Sequence, residues 1–115
     1  MNENKLEKIG RLIKLKKTND AQMELSKLGA EFWKDPEYLY LRSQIFYENK
    51  LYYLALDVLL IATEFESNER VYDFISKIYN ILGNKELSEN ISNPELRLKA
   101  INSLKKDVTG ILQKK

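Results

Sequence analysis

Apolar side chains recur at every third or fourth position, and short polar breaks interrupt them. Leu6, Ile9 and Ile13 share one face with the small Gly10 while lysines fill the other, which predicts a helix over 3–17. Thr18-Asn19-Asp20 supplies capping side chains, and Ala21, Leu25 and Leu28 form the inward stripe of a second helix. Asp35-Pro36-Glu37 opens a third, with Asp as N-cap, Pro in the first turn and an acid at the positive end of the helix dipole. It runs to about Glu48, and Asn49-Lys50 breaks it. A fourth helix spans Leu51 to about Phe65, Ser67-Asn68-Glu69 forms the next turn and cap, and a fifth runs from Arg70 to Leu82. Gly83-Asn84 closes that helix with a residue suited to positive φ. Lys85 to Ser92 is a short sixth helix, and Asn93-Pro94-Glu95 repeats the earlier start signal and opens a seventh, ending near Leu112. No stretch alternates with the two-residue period of a strand. Connections this short turn neighbouring helices antiparallel, so the chain reads as stacked helical hairpins.

Aligned hairpins share a register. Leu6-x2-Ile9-Gly10-x2-Ile13, Leu39-x2-Arg42-Ser43-x2-Phe46 and Tyr72-x2-Ile75-Ser76-x2-Tyr79 follow one another at a spacing of 33 residues. The second helices supply Ala21-x3-Leu25-x2-Leu28 and Ala55-x3-Leu59-x2-Ala62. This resembles the tetratricopeptide repeat (TPR), whose pattern is W-x2-L-G-x2-Y…A-x3-F…P with a period of about 34 residues. In that pattern Gly10, Ser43 and Ser76 are small because the paired helix crosses closest there, and Phe46 and Tyr79 fill the space beside each crossing. The departures are Arg42 at a normally apolar position, a first hairpin one residue short between Gly10 and Ala21, Ser88 in place of Ala, and an early stop at Pro94. The resemblance implies an all-α fold in which antiparallel hairpins stack as a short right-handed solenoid. The hairpins are 3–34, 35–67 and a partial third over 68–92, and a C-terminal capping helix covers 94–113.

At 115 residues the chain is one domain, 1–115. It has no cysteine and no histidine, which removes disulfides, thiolate nucleophiles, Cys- and His-type metal sites and the commonest general base. Four Gly and two Pro leave little material for a phosphate loop. No cofactor, metal or catalytic residue is expected, and the chain reads as a non-enzyme. No run approaches the roughly 20 apolar residues of a membrane span, and Met1-Asn2-Glu3-Asn4-Lys5 is not followed by the apolar stretch of a secretory signal, so a cytoplasmic protein is expected. All twelve aromatic residues fall between Phe32 and Tyr79, which marks the middle as the packed heart. The net charge of +2 hides an uneven distribution, with basic ends over 1–17 and 99–115 and an acidic centre.

The resemblance also implies where a partner would bind. In the family, the first helices of successive hairpins line a concave groove, with contacts at i, i+4 and i+7. Here those positions are Glu7, Arg11 and Lys14, then Tyr40, Gln44 and Tyr47, then Asp73, Lys77 and Asn80. Two tyrosines at the centre offer rigid rings with polar tips. Glu7 and Asp73 would repel a peptide's terminal carboxylate, which argues against the clamp that some family members use. Helix four is a second candidate surface. Apolar almost all round, it must be covered on every side, and its Tyr53, Leu56 and Leu60 face would lie bare on a plain stack. Ile101, Leu104, Val108 and Ile111 of helix seven could cover it, the helix could instead cap the third hairpin, or a second copy or a partner could fill the space. Asp57, the one acid in helix four, is paired with Arg42 on one reading and exposed on a polar edge on the other. The basic helix 3–17 has no aromatic to anchor in a membrane interface or stack on a base, which disfavours both partners.

The function these features predict is non-enzymatic protein binding, as an adaptor, scaffold or chaperone-like subunit that takes a peptide or helix of another protein. The alternatives are a homo-oligomer, at its simplest a homodimer, joined through helices 51–65 and 94–113, and a nucleic-acid-associated regulator using the basic ends.

Overall fold

Side chains of Asn and Asp set most of the helix starts. Asn4 accepts a hydrogen bond from the Leu6 amide, Asp35 from Glu37, Asn68 from Arg70, Asn84 from Leu87 and Asn93 from Glu95, each satisfying an amide that the first helical turn leaves open. The helices are α1 Lys5–Lys14, α2 Thr18–Ser26, α3 Pro36–Glu48, α4 Tyr52–Phe65, α5 Glu69–Ile81, α6 Lys85–Ser92 and α7 Pro94–Gln113, with a 3-10 turn over Ala30–Phe32 before α3. The structure is a computed structural model that describes residues 4–66 and 68–113, without the side chains of 107 and 109–113. Glu3, Ser67, Ile111 and the lysines at 114 and 115, to which the sequence reading gave roles, lie outside that description. Among the described residues there is no strand, and no helix is long and apolar enough to cross a membrane. The architecture is all-α, as expected.

Three turns share one geometry. Lys16 and Lys50 both have φ 62°, and Gly83 has φ 84°, each just past the end of α1, α3 or α5. At each, the next residue's amide reaches back five positions: Lys17 to Leu12, Leu51 to Phe46 and Asn84 to Tyr79, all at 2.9 Å. Their own amides bond to Ile13, Tyr47 and Asn80. This is the Schellman closure, and it reverses the chain within three residues. Only Gly83 announces it by residue type, because lysine carries no local signal for the left-handed region.

The turns make α1 pack on α2, α3 on α4 and α5 on α6, while α3 also meets α1 and α2, and α5 meets α4. The centre of the core is α4, which buries Ala55, Leu56, Val58, Leu59, Leu60 and Ala62. α7 packs on both α6 and α4, so one helix covers the third hairpin and also the outer side of α4. Of the alternatives open for Leu56, Leu60, Ile101, Leu104 and Val108, cover comes from the chain itself rather than from another chain. All five are at most 4% exposed, buried by the chain itself, and only Tyr53, at 38%, remains open on that face.

The three small register residues are not equivalent. The Ser76 hydroxyl sits 2.8 Å from the Ser88 carbonyl oxygen and hydroxyl and 2.9 Å from the Ser92 hydroxyl, so it faces its paired helix α6. Ser43 is fully buried and donates to the Tyr40 carbonyl of its own helix at 2.6 Å. Gly10 faces Leu41 on α3, in the next hairpin, rather than α2.

Arg97 holds the start of α7 in place. Its guanidinium grips Glu69 at 2.8 and 3.2 Å, donates to the Ile91 carbonyl at 2.7 Å and lies 4.2 Å over the Tyr72 ring. The group is nearly enclosed, with 11% of the side chain exposed. Replacing Arg97 by Ala should therefore cost about 2 kcal/mol in urea unfolding. Glu69→Ala should cost less, because the carbonyl bond and ring contact survive.

Candidate functional site

One face of α1, α3 and α5 stays open after the hairpins stack. A cavity of about 310 Å³ lies between α3 and α5, and one of about 510 Å³ between α1 and α3. They share Tyr40, Gln44 and Arg70, so together they form one continuous groove. Glu7, Arg11 and Lys14 line the α1 end, Tyr40, Gln44 and Tyr47 the middle, and Asp73 and Lys77 the α5 end. Asn80 lines neither cavity. Periodicity alone brings the stripe residues of each helix to one face. Only the stacking of hairpins brings the three stripes together.

An aromatic cluster forms the centre. Phe74 of α5 packs against Tyr40 and Tyr47 of α3 with ring centroids 5.8 and 5.1 Å away, and Tyr47 meets Tyr52 of α4 edge-on at 5.7 Å. Cations lie over these rings. The Arg70 guanidinium is 4.2 Å above Tyr40 and bonds to Glu37, and the Lys77 ammonium is 5.1 Å from the Tyr47 ring centre. Burial pushes the Tyr40 phenol above its ordinary pKa; Arg70 opposes the shift, and Glu37 and Asp73 add to it. The groove thus shows ligand a half-buried, largely neutral ring floor with mixed charge along its edges. Gln44 stands where the two cavities meet, lining both.

Arg70, Phe74, Glu37 and Glu48 also line the groove, and the sequence register missed them. Arg70, Phe74 and Lys77 themselves follow the i, i+4, i+7 spacing, so a stripe started one turn earlier on α5 includes them.

Part of the basic charge of α1 and the turn after it is paired within the chain, at the surface. Lys8 pairs with Glu24 of α2 at 2.7 Å and Lys16 with Glu48 of α3 at 3.0 Å. The Lys8 bond, followed by that of Lys27, holds the Glu24 carboxyl below the usual carboxylate range. Among the described residues, no three His, Cys, Asp or Glu side chains gather as metal ligands. Compared with protein-family models, curated proteins and solved structures, the chain matches none.

Asp57 and Arg42 do not form the ion pair that one reading of the sequence suggested. Arg42 is exposed and lies 5.5 Å over the Phe46 ring one turn along its own helix. Asp57 is half-buried beside a small cavity of about 140 Å³ lined by Leu60, Ile61, Glu64 and Lys105. Burial raises its pKa, and the Arg42 charge offsets this only in part and through space. A raised native pKa favours the protonated acid, so ionised Asp57 weakens the fold once the pH exceeds the unfolded-state value. Asp57→Asn should therefore raise the unfolding midpoint at about pH 7 and lose that advantage near about pH 3, where the wild-type acid is neutral in both states. Thermal melts at the two pH values check it.

Proposed function

We propose that the chain is a non-enzymatic protein-interaction module, built as a short TPR-like right-handed stack, that binds a peptide or helix of another protein in the α1–α3–α5 groove. It would serve as an adaptor, scaffold or chaperone-like subunit in the cytoplasm. The observation that carries this reading is the groove itself: eight of the nine positions that the repeat register selects line one continuous cleft. Its contents suit peptide recognition. Tyrosine rings bury apolar surface with few rotors to freeze, Gln44 can pair with a peptide group, and charges of both signs can set register. The three matching Schellman turns, at Lys16, Lys50 and Gly83, support a repeat of one hairpin unit. Coverage of Leu56 and Leu60 by α7 argues against assembly of copies through that face, and the Lys8–Glu24 pair in α1 and the Lys16–Glu48 pair just beyond it leave less of the N-terminal positive charge for an anionic partner.

Peptides selected from a random displayed library should shift the amide resonances of Tyr40, Gln44, Tyr47 and Lys77 when titrated into the labelled protein. Tyr47→Ala should weaken them at least about tenfold while far-ultraviolet dichroism stays helical. Shifts confined to other surfaces would remove the groove from consideration.

A further inference from the structure

We infer that the face between α2 and α7 is a contact for a second copy of this chain, closed by a two-fold pairing of Arg42 with Asp57 of the other copy. The cover of α4 stops short of one stripe. α3, α5 and α7 pack on this helix, yet Tyr53, Ile61 and Phe65 remain between 38% and 45% exposed. With Asp57 among them they recur at every fourth position, which puts them on one side of the helix. This is a different side from the buried Leu56 and Leu60 that α7 covers.

The open stripe continues toward α2. A cavity of about 370 Å³ there is lined by α2, by Arg42 and Phe46 of α3, and by Trp33, the chain's single tryptophan. Asp57 feels the Arg42 charge through space, so the cavity and the stripe are neighbours. Trp33 is 61% exposed although it follows directly on the 3-10 turn and lines an apolar hollow. Large rings left bare beside an apolar hollow mark a contact surface, and tryptophan is among the side chains most enriched at contact centres.

Charge selects the occupant. The charged side chains lining this face are Arg42 in the larger cavity and Asp57, Glu64 and Lys105 in the cavity of about 140 Å³ beside the stripe. Glu64 and Lys105 bond to each other at 3.1 Å. Arg42 lies over the Phe46 ring and makes no ion pair to a described residue, and Asp57 makes neither an ion pair nor a hydrogen bond to one. The face therefore presents one open cation and one open acid side by side. A partner of one sign would satisfy the first and repel the second. A second copy carries the matching pair by construction, and a two-fold axis between Arg42 and Asp57 satisfies both at once, because each residue then meets the other's counterpart. The same rotation lays the Trp33 side of one copy on the Ile61 and Phe65 side of the other, so both apolar halves lose water together. Pairing also relieves the half-buried Asp57 carboxylate of a burial that nothing in its own chain compensates in full.

Sedimentation equilibrium of the full chain tests the contact. The wild type should pass from one chain to two between about 10 μM and about 1 mM, the range of a small interface. Arg42→Glu and Asp57→Lys should each weaken self-association at least about tenfold, because like charges then face each other. An equimolar mixture of the two variants should regain a dimer within about threefold of the wild-type affinity, since every pair across the contact is again opposite in sign. Trp33→Ala should weaken the wild-type dimer about tenfold. Circular dichroism checks that each variant is helical, and if Asp57→Lys does not fold, Arg42→Glu and Trp33→Ala, both at exposed side chains, decide the matter alone. A wild type that stays a single chain to about 1 mM overturns the proposal and leaves the face to a different protein. A dimer that the charge reversals leave intact, or a mixture of folded variants that does not recover, overturns it as well, since the contact then lies elsewhere.

Discussion

Everything in this molecule is arranged around the need to keep α4 dry. From Leu51 to Ala62 its side chains are apolar or aromatic except Asp57, so no orientation offers water a suitable face. Each buried leucine contributes about 2 kcal/mol, and leaving one side bare would forfeit several such terms. α3 covers one side as hairpin partner, α5 packs against another, and α7 returns across the outside. The second hairpin therefore cannot be a free unit. It needs a neighbour after it in the chain and a terminal helix to finish the job, and the length of α7, twenty residues, matches that task.

Polar contacts decide how those covers are oriented. The same small device appears twice. Glu37 and Tyr40 at the start of α3 receive Arg70 from the start of α5, and Glu69 and Tyr72 at the start of α5 receive Arg97 from the start of α7. In each, an arginine spans a carboxylate and a ring on the preceding layer, combining an ion pair, forked at Arg97, with a planar cation over the ring. The first clasp is exposed and sits on the open groove, while the second is nearly enclosed and fastens the closing helix. Burial separates the two roles: a solvent-exposed pair contributes little to stability, whereas removing an enclosed guanidinium leaves unpaired groups behind.

The groove follows from this scheme rather than from any one motif. With α4 and α6 packed against α7, the first helices α1, α3 and α5 share an open groove. Tyr40 and Tyr47 stay half-covered there, with Phe74 from the next layer packed against both rings.

Sequence alone determined the helices and most of their ends, because those depend on chemistry within four residues: the Asp35-Pro36 start, the Asn caps at 68 and 93, the glycine at 83, and the apolar stripes. It also placed Tyr40, Gln44 and Tyr47 on one face, since helical period needs no tertiary information. What lay beyond it were contacts made between layers. The left-handed turns at Lys16 and Lys50, the facing of Gly10 toward Leu41, the release of Arg42 from Asp57 and the path of α7 over α4 all required the stack to exist first. Those outcomes come from burying apolar surface shared between distant segments, and no local propensity encodes which distant segment will supply the cover.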